Sequence, residues 1–133
     1  MSGPLLDRID LQIEVDSVPL QEINDSDPSE CSAVVASRVS RARGVQMERY
    51  KGTGKHCNAQ LNNADVKKYC TPDDEAIRLL NTAVDSLHLS MRAYQRILKV
   101  ARTIADLEGS EKILSVHVAE AVQYRELDQK YWR

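Results

Sequence analysis

The sequence predicts a mainly α protein, a helical bundle of about five helices preceded by one N-terminal strand. Three observations carry this expectation. Apolar residues recur at three- and four-residue spacing through most of the 133 residues, as amphipathic helices require. Acid or hydroxyl residues stand just ahead of these runs, twice beside a proline, as at helix starts. Five Gly and four Pro are too few for the many turns of an all-β chain. Phe is absent and aromatics make up 5%, so the core must be built from Leu, Ile, Val and Ala.

Each element follows from the local pattern. Residues 9–15 read Ile-Asp-Leu-Gln-Ile-Glu-Val, a strict alternation that predicts a strand. A lone strand has nothing to pair with, so its neighbours are expected to lie outside this sequence. Residues 16–27 are polar and acidic and read as a linker. Asp27 as N-cap, Pro28 at N1 and Glu30 at N3 resemble a capping box, which predicts a helix over 28–50. That helix stops before Gly52-Thr53-Gly54. Asn62 or Asn63 caps a short helix over 64–69. Thr71-Pro72-Asp73-Asp74 starts the next, with Ala76, Leu79, Leu80, Ala83, Val84 and Leu87 as its core stripe. Ser90 caps a helix that ends at Gly109 and buries Ile97, Val100, Ala101, Ile104 and Ala105. Ser115 opens the last, through Val118, Ala119, Val122 and Leu127.

The formal net charge of −2 hides a polarised chain. Residues 1–30 carry one base, Arg8, and eight acids. Residues 36–55 carry Arg38, Arg41, Arg43, Arg49, Lys51 and Lys55 against Glu48 alone. That basic segment can contact nucleic acid, with Arg38, Arg41, Arg43 and Lys51 as the candidate residues. It can also pair with acidic surface on a partner or on the chain's own arm, which is the preferred reading. It lacks the interleaved aromatics of a base-stacking platform.

Other motifs are excluded on chemistry. Gly52-Thr53-Gly54-Lys55-His56 lacks the first glycine and the final hydroxyl of a Walker A loop, since position 49 is Arg and position 56 is His. Cys31, Cys57 and Cys70 have no metal-ligand spacing, and His56 beside Cys57 is too few ligands for a zinc site. No metal site and no self-contained catalytic apparatus is expected. No apolar run approaches a membrane span and no signal peptide is visible, so a reduced, cytoplasmic protein is expected.

Two stretches remain. Ser2-Gly3-Pro4-Leu5-Leu6-Asp7-Arg8-Ile9-Asp10-Leu11 is a turn-to-strand passage with one arginine at the strand entrance. Ser90-Met91-Arg92-Ala93-Tyr94-Gln95-Arg96-Ile97-Leu98-Lys99-Val100-Ala101-Arg102-Thr103-Ile104-Ala105-Asp106-Leu107 is a helix with Arg92 in its first turn, against the dipole preference for acids. Spacing alone allows Arg92 to be a solvated residue at a helix end. Both stretches resemble the magnesium-chelatase-like AAA+ ATPases, most closely their competence-protein type. Asn58-Ala59-Gln60-Leu61 and His117-Val118-Ala119-Glu120-Ala121-Val122-Gln123-Tyr124-Arg125 match too, so the resemblance covers nearly the whole chain.

The resemblance implies that residues 1–27 end an AAA+ core and residues 28–133 form its helical C-terminal lid. It assigns Arg8 to the arginine finger and Arg92 to the sensor-2 arginine. Arg96 and Arg102 also match, with packing or salt bridges as an equal explanation. It further implies a longer parent that holds ATP and magnesium, forms a homo-oligomeric ring, expected to be a hexamer, and works on DNA by branch migration. The finger would act on a neighbouring subunit, and sensor 2 also does so where an inserted helix displaces the lid; the 28–50 helix is the candidate insertion. The isolated chain, without Walker A or B motifs or a cofactor of its own, is expected to be no enzyme. Chelation of magnesium is not implied.

Overall fold

The structure, a computed structural model, describes residues 3–24 and 29–126. Among them five helices of seven residues or more form the body: α1 (Ser32–Arg49), α2 (Asn63–Tyr69), α3 (Asp74–Leu87), α4 (Met91–Glu108) and α5 (Ser115–Gln123). Single helical turns occur at Gly3–Leu6 and Leu20–Ile23, and a 3-10 turn at Asn58–Gln60. No helix among the described residues is long and apolar enough to cross a membrane.

Local chemistry sets the helix boundaries. Ser90 caps α4 by accepting from the Ala93 amide at 3.1 Å. Gly109 ends it with φ +79, a left-handed conformation that glycine adopts without a side-chain clash. The cap of α2 is Asn62, in a reciprocal capping box with Asp65. In α3 it is Asp73 rather than Thr71, accepting from the Ala76 amide at 2.8 Å. Pro72 lies just before that cap and bridges to Ile113, which couples the α3 start to the loop before α5.

α4 is the central helix, packed against α1, α2, α5 and the 3-10 turn, while α3 packs on α5. Its stripe Ile97, Ala101 and Ala105 is buried with Leu80, Ile113, Val118 and Ala121 from the neighbouring elements. Small Ala side chains let these helices approach closely, as a core without Phe requires.

The bundle is as the periodicity predicts, although Leu79 of the α3 stripe and Ala119 of α5 are exposed, and three further expectations differ. Residues 9–15 do not form a strand; the Gln12 amide bonds to Tyr124 O at 3.0 Å, but no partner strand lies beside the segment among the described residues. Ile13 and Val15 are accordingly exposed. α1 begins at Ser32, not at 28, and its N-cap Cys31 makes no side-chain cap bond. The expected cap residues Asp27 and Pro28 lie outside the described residues, whereas Glu30 reaches forward to Arg38. α5 ends at Gln123, and Leu127 lies outside the described residues.

Candidate functional site

The two stretches singled out by sequence meet in space. After the helical turn Gly3–Leu6, the amides of Arg8 and Ile9 close back on Leu5 O and Leu6 O at 3.1 and 3.0 Å, setting Asp7 and Arg8 in a tight turn. Ser90 Oγ donates to Asp7 Oδ2 at 2.9 Å while it caps α4. Arg8 adjoins one end of this bond and Arg92, two residues beyond Ser90, the other. Both arginines are exposed, and neither enters an ion pair among the described residues.

A second layer fixes the passage. Arg125, buried just after α5, donates from Nη1 to Leu6 O at 3.2 Å and from Nη2 to Asp7 O at 3.4 Å. Arg96 pairs with Asp10, and the Gln12 amide bonds to Tyr124 O. Residues 6–12 are thus tied to the first half of α4 and the end of α5. A charge-assisted bond from a buried guanidinium to carbonyls is stronger than a neutral one, and these bonds tie the Arg8 turn to the bundle.

The other matched arginines are structural. Arg102 is buried and sends Nη1 to Glu111 O at 2.9 Å and Nη2 to Ser110 O at 2.7 Å, satisfying carbonyls beyond the α4 terminus. Its Nε donates to Asp106 Oδ1 at 3.1 Å. Asp106 also receives a bidentate fork from Arg49 at 2.5 and 2.9 Å, and Asn58 Nδ2 at 3.0 Å. Asn58 further accepts from Tyr50 at 2.5 Å and donates to Thr103 at 2.9 Å. Hydrogen bonding to Asp106 pushes the Arg49 pKa up. This network joins α1, the 3-10 turn and α4, which explains the matched Asn58-Ala59-Gln60-Leu61 stretch as packing. The Asp106 spacing, four residues after Arg102, was the available sequence signal. Arg125 carried only the signal of a lone cation after an apolar helix.

The basic segment does not form one patch. Arg38 is held by Glu30, at 3.0 Å for its second contact, Arg49 by Asp106 and Lys55 by Asp65. Arg41, Arg43 and Lys51 are exposed. A groove of about 600 Å³ runs beside α4, lined by Leu11, Val100 and Ile104 with Arg96, Glu120 and Tyr124. Neither Arg8 nor Arg92 lines it. Among the described residues no group of three His, Cys, Asp or Glu comes together to hold a metal ion. Cys70 is buried, which pushes its thiol up to about 11, so it is not a nucleophile.

Known proteins resemble the chain over nearly all of its length. Residues 29–125 match the family described as magnesium chelatase, subunit ChlI C-terminal. The chain is 47% identical over 126 residues to competence protein ComM of Haemophilus influenzae, covering 94% of this chain and 24% of that protein. It is 41% identical over 130 residues to the YifB protein of Salmonella typhimurium, covering 97% of this chain and 25% of the relative. A Mycobacterium tuberculosis protein is 32% identical over 126 residues, 95% of this chain and 25% of the relative. The chain therefore spans about a quarter of the length of these relatives.

Proposed function

The chain belongs to the family of magnesium chelatase subunit ChlI C-terminal domains, and on that premise we propose that it serves as the lid of an AAA+ ATPase ring. In this reading residues 1–27 end the ATPase core and residues 28–133 form the lid. Arg8 is the arginine finger and Arg92 the sensor-2 arginine. The observation that supports the reading is the Asp7–Ser90 hydrogen bond, which joins the turn that carries Arg8 to the helix start that carries Arg92, both arginines being exposed. An arginine in the first turn of a helix is electrostatically misplaced unless an anion arrives there.

The residues fit a triphosphate. A planar guanidinium binds two phosphate oxygens at once, and the N-terminus of α4 favours negative charge. Mg-ATP, held by the rest of the longer protein, supplies the transferable phosphoryl group. Arg8 and Arg92 neutralise the charge that spreads over its oxygens as the terminal bond loosens. Because Arg125 and Ser90 tie the Arg8 turn to the bundle, both arginines move as one body. We accordingly assign both to the nucleotide of the neighbouring subunit in a homo-oligomeric ring, taken as a hexamer. The longer protein would work on DNA by branch migration, and competence is the role named for the ComM relative.

The test is made in the longer protein. Arg8→Ala should leave ATP binding nearly intact and lower turnover by about 10³–10⁵, as for arginine fingers. Arg92→Ala should lower turnover with some loss of nucleotide affinity. Unchanged turnover in either variant contradicts the assigned role, and hydrolysis by the purified 133-residue chain alone would remove the need for a core. A second reading, a small nucleic-acid module, is supported by the exposure of Arg41, Arg43 and Lys51. It requires an affinity that falls steeply with salt through counterion release; tight binding at physiological salt would favour it.

A further inference from the structure

α1 is two different helices end to end. Its last turns are anchored, with Ala42 and Gln46 buried and Arg49 in the Asp106 network. Residues 32–41 are all exposed, so about 15 Å of helix stands clear of the body. The stripe that packs at Ala42 and Gln46 continues backwards at helical spacing through Val39 and Val35, which are 44% and 38% exposed. Val34 and Val45 are 47% exposed beside it. Arg43 lies one turn after Val39, and Arg41 one turn before Val45. A helix of this length has little stability without packing.

A complementary surface exists on the same chain. Residues 16–23 expose Val18, Leu20 and Ile23, at 57%, 78% and 64%, together with the exposed acids Asp16 and Glu22. The segment has no regular secondary structure before Pro19, whose own backbone is extended, and turns helical at Leu20–Ile23, a reach of up to roughly 20 Å. It is similar in length to the exposed part of α1, carries apolar side chains as that part does, and has the opposite charge. The two are exposed separately within one chain.

We propose that residues 16–23 of one copy of this chain dock on residues 32–45 of α1 of a second copy. The apolar side chains of the acidic segment cover Val35 and Val39, and its acids face Arg41 and Arg43. Valines set between the arginines favour this partner over a phosphate backbone, which needs the charges alone. The contact uses neither Arg8 nor Arg92, and its test reads association of this chain rather than ATP hydrolysis.

The experiment measures the mass of the 133-residue chain by sedimentation across a concentration series at low and high salt. The wild type should self-associate, more weakly at high salt. Two charge-reversed variants follow, Asp16→Lys with Glu22→Lys, and Arg41→Glu with Arg43→Glu, each checked for helix content. Like charges then face each other across the contact, and each variant alone should lose self-association by roughly tenfold or more. Mixed together they present opposite charges at both contacts, and association should return. A wild type that stays monomeric at every concentration overturns the proposal, as does a mixture that stays monomeric. Association unchanged in the separate variants overturns it equally.

Discussion

Arginine is used in two opposite ways at the two ends of α4. At its C-terminal end Arg102 and Arg49 converge on the buried Asp106, and their donors go to one carboxylate and two loop carbonyls. At its N-terminal end Arg92 and Arg8 lie exposed, and the nearby Asp7 accepts a hydrogen bond from the Ser90 hydroxyl. One end is closed by its own residues, and the other exposes two arginines that enter no ion pair among the described residues. Residue type and helical spacing are similar at both, so the distinction lies in what the flanking loops bring.

The contrast breaks most visibly at Asp106. Asp106→Ala would leave Arg102 buried without its carboxylate and Arg49 unpaired, at a cost of about 3–5 kcal/mol. Denaturant unfolding should show it as a large fall in midpoint. Arg125→Ala should cost less, about 1–3 kcal/mol for the carbonyls of Leu6 and Asp7 left without their donor. Its sharper signature is local, since the amides of Arg8, Ile9 and Gln12 should lose protection in hydrogen exchange while α4 keeps it.

A smaller effect lies at the Lys55–Asp65 pair. Its hydrogen bond to Lys55, then the Asn62 amide, hold the Asp65 carboxyl below its ordinary value of 3.8. A depressed folded pKa stabilises above the unfolded value and is lost as pH falls through the folded one. Acid unfolding below about pH 4 should therefore lose part of its pH dependence in Asp65→Asn, while stability at pH 7 changes little because the pair is at the surface. Smallest of all, Arg8→Ala and Arg92→Ala should change stability by less than about 0.5 kcal/mol. Thermal melts of the 133-residue chain that fell as far for these as for Asp106→Ala would erase the contrast between the two ends.

Much of this molecule was legible in its residues. Ser90 and Gly109 bracket α4 as written, and the Asn62 cap was one of two alternatives. The strand over 9–15 was misread because alternation reports a segment's capacity to pair, while pairing itself needs another strand. α1 starts at Ser32, later than the 27–30 pattern suggests, and Glu30 pairs forward with Arg38. At the site, the meeting of Asp7 with Ser90 spans 83 residues and no local pattern announces it. Arg96 and Arg102 could be separated from Arg92 only by tertiary structure, which supplies Asp10 to one and two loop carbonyls to the other.

The central claim is that the exposed rim serves a nucleotide held by a neighbour. The direct measurement mixes two inactive forms of the longer protein, one with Arg8→Ala and one lacking the phosphate-loop lysine. Each alone should hydrolyse ATP at a rate lowered by about 10³ or more. In rings shown to exchange subunits and to tolerate inactive neighbours, mixing creates sites in which an intact loop meets an intact Arg8, and the account predicts partial return of turnover. Turnover that stays at the level of the separate variants would contradict it and return Arg8 to its own subunit.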